Sequence, residues 1–112
     1  MKFTSGGWGV ILREGNYQGH HVHPGSHVSG VYYITAPTGA LIPGQDAGKI
    51  SFFDPRPRAH MNQLLAQRTY YREAPMPGDL VLFPSWLEHS VAPFRGEGGR
   101  ICIAFDARLE MR

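Results

Sequence analysis

Residues 20–34, "HHVHPGSHVSGVYYI", hold four of the chain's six histidines within their first eight positions and then run into Val, Tyr and Ile. Pro24 disfavours a helical conformation at His23, so "HHVH" is extended, and Pro24-Gly25-Ser26 then turns the chain. "HVSGVYYIT" is β-branched and aromatic and stops before Pro37. Strand, turn, strand is the reading, with imidazoles carried on extended backbone.

The same punctuation recurs along the chain. Candidate strands are "WGVILR" (8–13), "KISFFDP" (49–55), "TYYREA" (69–74), "DLVLFP" (79–84), "HSVAPF" (89–94) and "RICIAFDARL" (100–109). Gly and Pro clusters separate them, and residues 37–48 read as a loop. Only "RPRAHMNQLLAQR" (56–68) permits a helix, one or two turns around residues 61–67, long enough to lie over an opening as a lid. About eight short strands with frequent turns predict an all-β sandwich or barrel, with no alternating helical pattern to support a parallel sheet.

At 112 residues, with no repeat or linker-like shift in composition, residues 1–112 read as a single domain. Fourteen glycines and nine prolines lie scattered among apolar residues rather than in a low-complexity block. The formal charge of +2, with no basic run, gives no footprint for nucleic acid or a membrane surface. Cys102 is the only cysteine and has no internal disulfide partner. With neither a signal-peptide pattern nor an apolar span of about 20 residues, a reducing, cytoplasmic setting is expected.

Alternate residues of a strand share a face with Cα atoms about 7 Å apart, so His21 and His23 can converge on one ion. His89, which opens "HSV" after an apolar strand, is the candidate third ligand. An open site of three imidazoles suits a redox or Lewis-acid metal such as iron. His20 falls on the opposite face and His27 past a turn, so these read as solvated or as supports behind the ligands, and His60 likewise as a loop residue. Arg100 opens a strand in which Arg100, Cys102 and Ala104 share one face, and Ile101, Ile103 and Phe105 share the other, which reads as core. A guanidinium turned into a barrel needs an anion, and a carboxylate matches its planar fork. The alternative is a strand-end arginine reaching solvent.

Together "HVHP", "SGVYYI", "FFDPR", "PGDLVLFPSWLEHSVAPF" and "RICIAF", in this order over roughly residues 8–106, resemble the iron(II)- and 2-oxoglutarate-dependent oxygenases, in particular the oxygenase family that carries this extended pattern. The resemblance implies an all-β double-stranded β-helix (jelly roll), Fe(II) held by His21, His23 and His89, and 2-oxoglutarate and O2 as co-substrates. It implies Arg100 as partner of the distal carboxylate of 2-oxoglutarate. Tyr33 resembles a tyrosine that, in prolyl hydroxylases, bonds the same carboxylate, and Cys102 stands where relatives carry a serine hydroxyl. The expected activity is hydroxylation of an unknown substrate.

Two features depart from that pattern. The superfamily's middle ligand is usually Asp or Glu, whereas His23 stands here, which leaves a bound ion with one more unit of positive charge. Either three imidazoles suffice, or a carboxylate from elsewhere completes the set; Glu88 reads as a solvated loop residue. Only 20 residues precede His21, fewer than the superfamily usually carries there, which fits a minimal version, a piece of a longer chain, or, the favoured expectation, a small homo-oligomer that covers a bare sheet face. The rival within the fold is a cupin-type dioxygenase or isomerase, whose motif spacings fit with His27 in place of Glu and Trp86 in place of Gly. A non-catalytic metal-binding jelly roll is the third reading. Arg56 and Arg58 either meet an acidic substrate or form an ordinary solvated loop.

Overall fold

A computed structural model describes residues 2–35, 45–61 and 68–110, with side chains except that of His60. Eight strands fall where the turn signals place them: β1 (Lys2–Leu12), β2 (Gln18–His21), β3 (Val28–Tyr33), β4 (Ile50–Phe53), β5 (Tyr70–Glu73), β6 (Leu80–Pro84), β7 (His89–Val91) and β8 (Arg100–Glu110). They form two four-stranded antiparallel sheets, in the orders β1-β8-β3-β6 and β2-β7-β4-β5. This is the double-stranded β-helix that the resemblance implies. Among the described residues the only helical turn is a 3-10 turn, Ala59–Met61. The predicted helix over 61–67 falls almost wholly outside them. No helix among the described residues is long and apolar enough to cross a membrane.

β8 is one of the two central strands of the first sheet, because it pairs along its length with β1 and also with β3. Val10 and Tyr33 both stand opposite Cys102, and Trp8 and Val31 both stand opposite Ala104, so these residues share one face. That face looks inward across the sandwich. Leu12 from the first sheet packs with Ile50 and Val91 of the second and with Phe94, and each is at least nine-tenths buried. Each such side chain contributes roughly 1.5–3 kcal/mol by leaving water, and together they close one end of the interior. Phe52 and Phe83 meet across the sheets with ring centroids 5.0 Å apart.

The inward face of β8 is the reverse of the sequence-based expectation. Arg100 and Cys102 are buried, whereas Ile103 is 43% exposed and shares the outer face with the exposed Ile11, Tyr32, Leu80 and Leu82. Alternation separates the two faces of a strand but does not say which one the second sheet covers. Here the interior accommodates a cationic side chain, and the outer surface is left apolar.

Two further expectations shift. β1 begins six residues before "WGVILR", since Lys2–Gly7 pair in register with Phe105–Glu110 despite their glycines. "HHVH" is not one strand: β2 ends at His21, and His23 lies beyond it, where its amide donates to the Ser85 carbonyl at 2.9 Å. Backbone pairing with the 84–87 turn replaces the regular ladder there and still delivers His23 to the interior.

Two glycines are required by geometry. Gly78, at φ 87°, turns the chain into β6 and donates to the Tyr33 carbonyl at 2.8 Å, which anchors the end of β3. Gly30 lies beneath the Phe105 ring on the outer face, where an added Cβ would come within 2.2 Å of the ring. Gly30→Ala is therefore expected to cost about 1–3 kcal/mol by overpacking. In a Phe105→Ala background the same change is expected to cost much less. Urea unfolding of the four proteins in this cycle checks it, and equal costs in both backgrounds would contradict it.

Candidate metal centre

His21 and His89 are direct cross-strand partners on β2 and β7, which sets their rings 4.1 Å apart, centroid to centroid. His23 arrives from the turn beyond β2, with its ring parallel to that of His89 at 5.1 Å. Each histidine offers one ligating nitrogen such that all three lie within 4.8 Å of one another. The two ligand candidates nearest in sequence and the distant one are thus brought together as expected. His20 is exposed on the other side of the sheet, 3.0 Å from Glu88, with its ring tilted against that of Phe53. His27 is exposed and accepts from the Leu109 amide.

The protonation pattern follows from the partners. His21 Nδ1 faces the Gly19 carbonyl at 2.6 Å, and His89 Nδ1 faces the Leu87 carbonyl at 2.9 Å, in each case the residue two positions earlier. His23 Nδ1 faces the Asp106 carboxylate at 3.2 Å. Carbonyl and carboxylate oxygens only accept, so each Nδ1 carries the hydrogen and donates it. In the neutral tautomer this leaves the three Nε2 atoms as the free ligating atoms. The Nε2 atoms of His23 and His89 are 3.2 Å apart, a separation that calls for a proton or a metal cation between the two lone pairs. Adjacent nitrogens bound at about 2.1 Å to a common ion have this separation. The donor set fits a metal of the kind that binds imidazole.

Deeper in the same cavity, of about 210 Å³, lie Arg100, Cys102 and Val31. Arg100 is only 1% exposed, yet no carboxylate pairs with it among the described residues. It donates through Nε to the Gly48 carbonyl and through Nη2 to the Tyr33 hydroxyl, each at 3.1 Å, with Nη1 3.6 Å from Cys102 Sγ. The strand-end arginine therefore turns inward. Burial pushes the Tyr33 phenol up to about 12 despite the opposing pull of Arg100, and burial also raises the Cys102 thiol. Both stay protonated at neutral pH, so Tyr33 keeps a hydroxyl hydrogen to donate beside the guanidinium.

Sequence reasoning missed Asp106, Ser29 and Ser85. Ser29 donates to Asp106 at 2.6 Å and lies 2.8 Å from Ser85, with both serines buried. Strand parity could have found two of them: Asp106 shares a face with Arg100, and Ser29 shares one with Tyr33. After β4, Arg56 closes on Asp54 at 2.6 Å, which supports the ordinary loop over an anion-binding one for that residue.

Burial, reinforced by the neighbouring His21 and His23, lowers the His89 imidazole from 6.5 to about 4. Between those values the unfolded chain binds more protons than the folded one, so stability is full above pH 6.5 and falls as pH drops toward 4. At about 1.4 kcal/mol per unit, the metal-free protein is expected to lose about 3 kcal/mol across this window. His89→Gln should remove most of that loss. Urea unfolding at pH 7.5 and 4.5 checks it, and equal losses in both proteins would contradict it.

No curated protein matches the sequence. Among solved structures, the chain is similar to a prolyl-4-hydroxylase from Pseudomonas putida, with a TM-score of 0.60 and 20% identity over 96% of this chain and 53% of that one. The chain thus spans about half the length of that structure, and the likeness is one of fold. The sequence itself matches the family described as "Putative 2OG-Fe(II) oxygenase" over residues 6–106, nearly its whole length, and the protein belongs to that family.

Proposed function

We propose that the protein couples oxidative decarboxylation of 2-oxoglutarate to hydroxylation of a C–H bond in a second substrate, with Fe(II) held by His21, His23 and His89. One observation carries this reading: a buried guanidinium without a carboxylate partner shares a cavity with three converging imidazole nitrogens. Burying an unpaired cation is costly, and an anionic co-substrate offsets that cost. Overall, 2-oxoglutarate, O2 and R–H give succinate, CO2 and R–OH.

The chain's own groups divide the work by position. Arg100 offers the planar fork that a carboxylate takes up in two hydrogen bonds, and Tyr33 adds its hydroxyl hydrogen. Cys102 stands beside them with a weak thiol donor in place of a hydroxyl. Phe83, Val31 and Val91 line the cavity and limit water around the imidazoles. A bound Fe(II) supplies the redox chemistry and the coordination positions that the three histidines leave open.

The all-imidazole donor set favours a second reading, a cupin-type metal enzyme that needs no 2-oxoglutarate. Arg100 separates the two. Truncating one partner of a buried, hydrogen-bonded charge pair costs at least about 2 kcal/mol, roughly 30-fold in affinity. Arg100→Ala is therefore expected to weaken 2-oxoglutarate binding by at least roughly that factor, measured by calorimetry on the anaerobic Fe(II) protein. Anaerobic loading with Fe(II), followed by 2-oxoglutarate and O2, should release succinate even without the second substrate. No succinate, together with unchanged 2-oxoglutarate binding in Arg100→Ala, would overturn the proposal in favour of the cupin reading.

A further inference from the structure

His23 differs from the other two histidines in what stands behind it. His21 and His89 each donate through Nδ1 to a backbone carbonyl, whereas His23 donates to the Asp106 carboxylate, whose two oxygens lie 3.2 and 3.3 Å away. Among the described residues, Asp106 is the one carboxylate bonded to an imidazole of the triad. Glu88, although adjacent to His89 in sequence, bonds the outward-facing His20 instead.

Asp106 is itself held in place. Ser29 Oγ donates to Asp106 Oδ1 at 2.6 Å, and because its one hydrogen is used there, it accepts from Ser85 Oγ at 2.8 Å. The hydrogen bonds therefore run in one direction, from Ser85 to Ser29 to Asp106, and the carboxylate in turn accepts from His23. Both hydroxyls are almost completely buried. Such a chain orients the carboxylate toward the ring next to it.

We propose that Asp106 is a positioning residue that delivers to the metal, through His23, the negative charge that the three neutral imidazoles lack. An imidazole that donates Nδ1–H to a carboxylate is locked in the tautomer with a free Nε2 and is a stronger base at that atom. The charge moves from the ligand itself to the group behind the ligand. The unit of positive charge left by an imidazole in the middle position is thereby offset without a carboxylate in direct contact with the ion. The inference rests on the three-histidine centre proposed above.

Co(II) titration followed by visible absorption, with the Fe(III)/Fe(II) midpoint potential as a second readout, tests it. Asp106→Asn keeps the shape and an oxygen acceptor but removes the charge. It is expected to weaken Co(II) binding roughly 10- to 100-fold and to raise the midpoint potential, because the ferric ion depends more on nearby negative charge. Asp106→Glu should restore part of both, and Asp106→Ser serves in place of the Asn variant should that protein not fold. In a His23→Asp background, which puts a carboxylate in the ligand position, Asp106→Asn should no longer weaken binding.

Wild-type affinity and potential in Asp106→Asn would overturn the proposal, as would an equal loss in the His23→Asp background. His89→Ala separates this failure from failure of the metal centre. Co(II) binding that is lost in His89→Ala but untouched by Asp106→Asn overturns the role of Asp106 alone. No Co(II) binding by the wild-type protein overturns both.

Discussion

Burying a guanidinium and three imidazoles between two β-sheets obliges the interior to satisfy every one of them. An arginine removed from water without hydrogen bonds or counter-charge costs several kcal/mol. Arg100 therefore draws on the Gly48 carbonyl, the Tyr33 hydroxyl and the Cys102 sulfur, which come from three separate parts of the chain. No described side-chain nitrogen or oxygen that is buried lacks a partner. The sheet order serves this demand, since only a central β8, flanked by β1 and β3, sets Tyr33 opposite Cys102 beside the guanidinium.

The second sheet answers a different need. Its direct pairing of His21 with His89 sets two imidazoles side by side from strands remote in sequence, and each ring is oriented by the carbonyl two residues before it. His23 has no such local partner. It leaves the regular ladder and is fixed instead through its amide to Ser85 and its ring to Asp106. The triad thus joins both sheets, with the second sheet setting two rings and the first sheet, through β8, backing the third.

The outer surface of the first sheet is the counterpart of the polar interior. With Arg100 and Asp106 on the inward side of β8, its isoleucines and Phe105 are turned outward among Tyr32, Leu80 and Leu82. Gly30 lets the Phe105 ring lie flat against the sheet there, so part of that surface is covered from within the sheet itself.

Much of this was legible in the linear chain. Turn signals marked every strand, because Gly and Pro act through local backbone sterics that need no tertiary partner. The His-x-His spacing and the motif set singled out His21, His23, His89, Arg100, Tyr33 and Cys102; the folded chain brings five of them to one cavity and sets Tyr33 against Arg100. The first half of β1 was hidden, because Lys2–Gly7 owe their extension to pairing with the end of β8 and not to their own propensity. Strand parity put Asp106 on the face of Arg100 but could not say that this face was the interior. Only the packing of one sheet on the other decides which side of a strand meets water. For the same reason only the tertiary structure decided that His23 would find a carboxylate 83 positions away in the chain.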